Sequence, residues 1–349
     1  MLSRLNSGRS MAPPHISSRV QGGMSMAIGS LPHRSLSDAI AVSLTATDIV
    51  TIPTLPRRSP AESMIAQALV GIPGVTVGQY GSIAVDAASV LATEAVRTDL
   101  DHDAFASFRS FLSTAAAEGF AGPVKWQFVG PITLGLALQR AGVPAETAFE
   151  IAMRSVRGHI TNLLAAVHAA LPSSDQIVVI DEPEWSALLE PGFPLAPDVA
   201  IDLLSGALAI IEPVAIAGVH CCATADLQSL MAAGPRLVSV PVTMSLVDHA
   251  GHLQRFLENG GWIAWGAVPT DGPVPMTAER SWKRLCELWC QLVQRGCSPA
   301  LLRQQSLITP ACGLGLHHAS VAERVLRLTA DIATRVRDQS AATRFSFGA

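Results

Sequence analysis

The sequence lacks several features that would place it in a specialised class of protein. No uninterrupted apolar run of about 18 residues occurs, so a membrane-spanning helix is not expected. No block of Lys or Arg is present and the net charge is −4, which argues against a nucleic-acid-binding surface. The six cysteines are scattered, as is typical of reduced thiols in a cytoplasmic protein. We therefore expect a cytoplasmic protein that binds neither nucleic acid nor membrane. It is expected to be a monomer or a homo-oligomer.

The two ends of the chain differ from its apolar middle. Residues 1–25 are basic and rich in Ser, and they lack the apolar core of a signal peptide. We expect residues 1–25 to form a disordered N-terminal tail and residues 338–349 to form a frayed C-terminal tail. A single domain then spans residues 26–337. Strands buried on both faces explain the mean hydropathy of +0.36.

Alternating strand and helix patterns predict a parallel α/β fold. A Gly-rich stretch, Gly71–Val85, predicts an additional hairpin. The alternative fold is a doubly wound open sheet, which usually carries a G-x-G-x-x-G loop after its first strand. The segment Gly29-Ser30-Leu31-Pro32 does not fit that loop. Eight strand–helix repeats match a single (β/α)8 TIM barrel. The eight predicted strands are Met26–His33, Asp48–Ile52, Val124–Val129, Gln176–Ile180, Pro213–Gly218, Leu237–Val242, Trp262–Val268 and Ser306–Thr309.

The fifth predicted strand leads into Val219-His220-Cys221-Cys222. Side chains alternate between the faces of a strand, so His220 and Cys222 are expected to project together and Cys221 to the opposite side. An imidazole beside a thiolate supplies half of a zinc site. Cys312, which follows the eighth strand, is the best candidate for a further ligand; a buried packing role for all of these residues is the alternative.

Polar residues collect at the ends of the predicted strands, where a barrel places its active site. Arg58 is a candidate for binding an anionic group, with a solvated loop as the alternative. The strand-end residues are Ser30 and His33 after strand one, Arg57 and Arg58 after strand two, Thr133 after strand three, Asp181 and Glu182 after strand four, His220 and Cys222 after strand five, and Cys312 after strand eight.

Five motifs at these strand ends resemble one family in their order and content. The chain resembles the catalytic C-terminal barrel of cobalamin-independent methionine synthase, and more closely its short single-barrel relatives, within the superfamily that includes uroporphyrinogen decarboxylase. The resemblance covers roughly residues 26–335. The motifs are Ile28-Gly29-Ser30-Leu31-Pro32, Val129-Gly130-Pro131-Ile132-Thr133, Ile180-Asp181-Glu182-Pro183, His220-Cys221-Cys222 and Thr309-Pro310-Ala311-Cys312-Gly313-Leu314.

The resemblance implies a zinc-dependent methyl transfer to a thiol such as homocysteine. A metal-bound thiol is deprotonated, and the thiolate then attacks an activated methyl group. By the resemblance, zinc is bound by His220, Cys222 and Cys312. Asp181 is the catalytic-site acid that holds the substrate ammonium group, and Ser30 with the adjacent Gly29 backbone holds its carboxylate. We place Glu182 and Arg58 among the substrate-binding residues as well.

Departures from the family pattern bear on the methyl donor. The synthases supply a Glu as fourth zinc ligand from strand six, whereas Leu237–Val242 contains no acid. In the synthases, an acid–base segment after strand seven protonates the folate leaving group, and Gly266–Thr270 stands in its place here. The N-terminal barrel with which the synthases help to bind polyglutamyl folate is not in the sequence. A methylcobalamin or corrinoid-protein donor is therefore favoured over methyltetrahydrofolate. Two alternatives stay open: a metal-free decarboxylase-like enzyme, and a non-catalytic barrel that binds a corrinoid or partner protein.

Overall fold

The structure is a computed structural model that describes residues 19–78, 81–86 and 96–346, with side chains as far as residue 339. Its strands are β1 Met24–Ser25, β2 Val50–Thr51, β3 Val75–Val77, β4 Ile83–Val85, β5 Val124–Val129, β6 Gln176–Asp181, β7 Ile216–His220, β8 Leu237–Pro241, β9 Trp262–Val268 and β10 Ser306–Pro310. Its helices are α1 Leu36–Thr45, α2 Met64–Leu69, α3 Ala106–Ala117, α4 Pro131–Arg140, α5 Ala145–Ala170, α6 Pro197–Ile211, α7 Leu227–Ala232, α8 Ala250–Glu258, α9 Glu279–Gln294, α10 Pro299–Gln304 and α11 Ala319–Ser346.

Eight parallel strands form one sheet in the order β1-β10-β9-β8-β7-β6-β5-β2. The two outer strands of this order meet through parallel bridges that pair Met26 with Ile49 and Ser30 with Thr54. The backbone N–H of Leu31 donates to the Thr54 carbonyl oxygen at 2.9 Å, which continues this closure. Because helices cover the outside of the sheet, the architecture is an α/β TIM barrel, and the predicted fold class is confirmed. The strands β3 and β4 form the predicted antiparallel hairpin outside the barrel.

Along β6, the residues that face the barrel interior change from apolar to polar. In β6, Ile177 and Val179 belong to a small interior core, whereas Val178 and Ile180 belong to the larger core beneath the helices. Alternation therefore turns Asp181, the last residue of β6, toward the interior at the carboxyl end. A mainly apolar layer packs the interior beneath Asp181, and the carboxyl ends of the strands form the open end of the barrel.

The ends of the domain differ from the predicted boundaries. β1 begins at Met24 and Val20 is buried, so the barrel starts before residue 26; residues 1–18 of the predicted tail lie outside the described residues. α11 extends to Ser346, across most of the predicted frayed segment, because no Gly or Pro interrupts the chain before Gly348. The described part of the chain contains no helix long and apolar enough to cross a membrane.

The first strand is shorter than predicted. Regular pairing ends at Ser25, and only the bridges at Met26 and Ser30 continue it toward His33. Gly29 has a φ of +142°, and Pro32 follows three residues later, so the chain leaves the extended conformation here.

The close contact between α4 and α5 predicts opposite effects of two Gly-to-Ala substitutions. A Cβ at Gly135 of α4 would overlap the ring of Phe149 in α5, whereas a Cβ at Gly251 of α8 would meet open space. Gly251→Ala should raise the free energy of unfolding by about 0.5–1 kcal/mol through helix propensity. Gly135→Ala should lower it by about 1–3 kcal/mol through overpacking. Urea denaturation of both variants measures this, and stabilisation by Gly135→Ala would contradict the packing.

Candidate metal centre

Three potential metal ligands converge at the carboxyl end of the barrel. His220 ends β7, Cys222 follows two residues later, and Cys312 lies two residues beyond β10. Their donor atoms all lie within 4.8 Å of one another. Zinc bonds to nitrogen and sulfur measure about 2.0–2.3 Å, so small side-chain adjustments would allow all three donors to reach one ion. The structure therefore brings together the three residues that the sequence predicted as zinc ligands.

The imidazole of His220 has one nitrogen engaged and one free. Its Nδ1 lies 2.9 Å from the Ser239 hydroxyl oxygen, and Ser239 is its register partner on β8. Its Nε2 is buried and has no hydrogen-bond partner among the described residues. When Nδ1–H donates to Ser239, Nε2 carries a lone pair, which is the tautomer that binds a metal. A buried nitrogen with a free lone pair beside two cysteines fits a metal ligand.

The two thiols of the cluster interact with each other. The pKa of Cys222 is lowered, chiefly by its hydrogen bond with Cys312, and the pKa of Cys312 is raised by the same bond. Cys222 is therefore the thiol that loses its proton first. Cys221 points to the opposite side, as predicted, where it is fully buried and burial raises its pKa to about 11. Within this segment, the buried Cys221 is thus the less reactive thiol, and Cys222 is the one that faces the barrel opening.

Asp181 lies beside the cluster on the neighbouring strand, where it is the register partner of His220. Its Oδ1 is buried and accepts no hydrogen bond from the described residues. Burial raises the pKa of Asp181, and the positive charge of Lys125 opposes that rise. A carboxylate with a free lone pair next to three metal ligands is suited to accept a hydrogen bond from a cationic or N–H group of a ligand.

A cavity of about 390 Å³ gives access to these groups. Leu316 lies at its mouth and is 85% exposed. Its polar lining includes Ser30, Gln127 and Asp181 as well as the three predicted ligands, and its apolar lining includes Ile28, Pro56, Met64, Phe128, Pro183 and Leu316. A larger cavity, of about 700 Å³, lies under the β3–β4 hairpin and touches none of the predicted metal ligands.

Ser30 and Gly29 have different positions relative to this cavity. Ser30 lines it, and its hydroxyl accepts a hydrogen bond from the Gly315 backbone N–H at 3.2 Å. Gly29 does not line it. A Cβ at Gly29 would overlap the side chain of Gln127, so this glycine is required by the packing of Gln127. The expected contact of Ser30 with the substrate thus remains a prediction. Gly29 does not contact the cavity itself, and it leaves room for the side chain of Gln127, which does.

Glu182 does not face the cavity, which corrects its assignment as a substrate-binding residue. It is fully buried and accepts hydrogen bonds from the backbone N–H of Ile132 at 2.9 Å and of Thr133 at 2.8 Å. The Thr133 hydroxyl donates a third bond at 2.6 Å. Burial raises the pKa of Glu182 to about 7, and these bonds act in the opposite direction. The physical role of Glu182 is to cap the N-terminus of α4.

Arg58 is also engaged elsewhere, and the expected contact with a substrate anion is corrected. Its guanidinium lies 2.6 Å from Glu62 Oε1 and 2.8 Å from Asp103 Oδ1. The Glu62 carboxylate in turn accepts the backbone N–H of Leu55 at 2.7 Å and the hydroxyl of Ser107. Two acids already neutralise Arg58, so it stabilises the loop after β2 and is not available to a ligand.

Three residues near the centre were not identified from the sequence. Lys125 and Gln127 lie inside the barrel on β5, and Ser239 supports His220 from β8. A signal for the first two is present: Val124-Lys125-Trp126-Gln127-Phe128 alternates apolar with polar residues in a strand that a barrel buries on both faces. Ser239 carries no comparable signal, because a lone Ser in an apolar strand has many possible partners.

The hydrogen bond from Ser239 predicts a measurable effect on metal affinity. Ser239→Ala removes the group that holds the His220 ring, and such losses typically weaken metal binding about 10–100-fold. Competition with a chromophoric chelator measures the change. Ser245→Ala, at an exposed serine of the 3-10 helix after β8, is the matched control and should leave affinity unchanged. Equal affinities for wild type and Ser239→Ala would contradict the role of Ser239 in orienting His220 as a metal ligand.

Comparisons with known proteins support the fold. A scan against family models and a search of curated proteins both return no match. A search of solved structures finds, among others, the crystal structure of a protein proposed to be the vitamin-B12-independent methionine synthase of Listeria monocytogenes. The identity is 14% and the TM-score is 0.50, with 78% of this chain and 77% of that chain covered. At this identity the comparison establishes a shared barrel fold.

Proposed function

We propose that the protein is a zinc-dependent methyltransferase that methylates the sulfur of a small thiol. The observation that carries this proposal is the clustering of a His220 ring nitrogen and the sulfurs of Cys222 and Cys312 within 4.8 Å of one another, with the Nε2 of His220 buried and without a hydrogen-bond partner among the described residues. Two sulfurs and one imidazole nitrogen are a donor set that favours zinc and leaves a coordination position open. A metal-free decarboxylase would leave this nitrogen without a partner.

The chemistry depends on making a thiolate at neutral pH. Zinc held by His220, Cys222 and Cys312 would keep the substrate thiol deprotonated, since a free thiol has a pKa near 8.5. Asp181 accepts a hydrogen bond from the substrate ammonium group, and Ser30 lies where it can contact the other end of the substrate. The apolar lining around Phe128 and Leu316 limits water near the nucleophile. The sulfur then forms a bond to the methyl carbon as the leaving group departs.

The residues near the mouth favour a methylcorrinoid as donor. Methyltetrahydrofolate releases a nitrogen leaving group that needs a proton, and no residue from Gly266 to Thr270 at the end of β9 carries a titratable side chain. A methylcorrinoid needs no proton, because the methyl–cobalt bond breaks with its electron pair remaining on cobalt. The homocysteine acceptor and the corrinoid donor are both parts of this proposal.

Methyl transfer tests the proposal directly. Zinc-loaded protein is incubated with homocysteine and either methylcobalamin or methyltetrahydrofolate, and thioether formation is measured by mass spectrometry. We expect product from methylcobalamin at a higher rate than from methyltetrahydrofolate. Cys222→Ser should reduce the rate by more than the roughly 10–100-fold typical of losing an outer-shell partner. Cys290→Ser, at an exposed cysteine of α9, should leave the rate unchanged. No thioether from either donor would overturn the proposal.

A further inference from the structure

Lys125 and Gln127 form a polar pair inside the barrel. Lys125 is fully buried, and its ammonium group donates to the Ile28 carbonyl oxygen and, at 2.8 Å, to Oε1 of Gln127. Among the described residues, no ion pair within 4.0 Å involves Lys125. A buried cation without a close anion is costly, so hydrogen bonds and a more distant charge have to stabilise it.

The chemistry of lysine fixes the orientation of the Gln127 amide. An ammonium group has three donors and no acceptor, so the amide end that meets Lys125 must be the oxygen. The Nε2 group then points away from Lys125. Gln127 lines the 390 Å³ cavity, and its Nε2 makes no hydrogen bond to the described residues. An N–H donor of defined direction is therefore presented to whatever occupies the cavity.

Gly29 holds the same side chain from the other side. A Cβ at this position would overlap Nε2, Cδ and Oε1 of Gln127, so the amide packs directly against the Gly29 backbone. The Gln127 side chain is thus fixed between Lys125 and Gly29 before any ligand arrives. Preorganised donors lose little conformational entropy on binding, which strengthens their contribution to affinity.

The charges on β5 and β6 have opposite signs. Behind the Gln127 amide lies the positive charge of Lys125, and on the adjacent strand lies Asp181, whose Oδ1 has no donor. In a site of low dielectric, an anionic group of a ligand is stabilised by the N–H donor of Gln127 and by the positive charge of Lys125 behind it. A cationic group benefits from the free carboxylate oxygen. The floor of the cavity therefore matches a ligand that carries a carboxylate.

We propose that Gln127 is a specificity-determining residue that donates its Nε2–H to the carboxylate of the thiol substrate, with Lys125 as its positioning residue. The substrate class is a thiol bearing a carboxylate, with an optional ammonium group for Asp181. This inference rests on the proposed function only in taking the ligand to be a thiol or its methylated product.

Calorimetric binding of S-methylated compounds tests the role of Gln127 without requiring turnover. The probes are methionine, 4-(methylthio)butanoate, which lacks the ammonium group, and 3-(methylthio)propylamine, which lacks the carboxylate. Wild-type protein should bind both carboxylates more tightly than the amine. Gln127→Leu should weaken carboxylate binding roughly 10–100-fold, as expected for a hydrogen bond to a charged group, and leave the amine unchanged. Gln127→Glu, nearly isosteric, should repel the carboxylates and favour the amine.

Two further variants separate a specific role from a structural one. Met64→Leu changes only the apolar lining and should leave the preference for carboxylates intact. Lys125→Met should lose the preference, because the amide is no longer oriented. Equal weakening of all three probes in Gln127→Leu, or no effect on any of them, would overturn the inference.

The outcomes also distinguish this inference from the proposed function. Carboxylate discrimination that depends on Gln127, together with absent methyl transfer, would refute the methyltransferase and retain the binding role. Methyl transfer with the same KM for thiols with and without a carboxylate would refute the role of Gln127 and retain the methyltransferase.

Discussion

The parallel register of β6, β7 and β8 is the constraint on which the site depends. It aligns Asp181 with His220 and His220 with Ser239. One row across three strands therefore holds an acid, the candidate metal-binding histidine and the serine that orients this histidine. Because strand side chains alternate with period two, a shift of one residue would turn this row into the outer core. The apolar interior layer below, which includes Ile177 and Leu237, keeps the register fixed.

The buried polar groups near the site differ in whether the protein itself satisfies their hydrogen bonds. Glu182 is fully buried and accepts three hydrogen bonds, so its carboxylate is satisfied by the protein itself. His220 Nε2 and Asp181 Oδ1 are also buried, and neither has a partner among the described residues. An unsatisfied buried polar atom costs about 1–3 kcal/mol, and these two atoms, on neighbouring strands at the candidate centre, fit a site that a ligand completes.

Sequence patterns predicted the architecture and the pairing of His220 with Cys222 because both depend on periodicity, whereas the assignment of zinc came from the family resemblance. Alternation alone placed His220 and Cys222 on one face, and the eight strand–helix repeats predicted the barrel. The same rule explains the error at Glu182: it follows Asp181 directly and therefore points the other way. Arg58 was misassigned because its ion-pair partners are brought to it by folding, namely Glu62, four residues later, and the more distant Asp103. Gln127 was missed because the role proposed for it depends on Lys125 and Gly29, whose contacts with Gln127 only the three-dimensional structure shows.

Metal content tests the central claim, that His220, Cys222 and Cys312 form a zinc site. Native mass spectrometry of wild-type protein purified under reducing conditions is compared with that of Cys312→Ser, with circular dichroism confirming that both are folded. A three-ligand site predicts about one zinc ion per wild-type chain and its loss in the variant. Wild-type protein that takes up no zinc even after zinc is added, or a variant that retains it fully, would contradict the account.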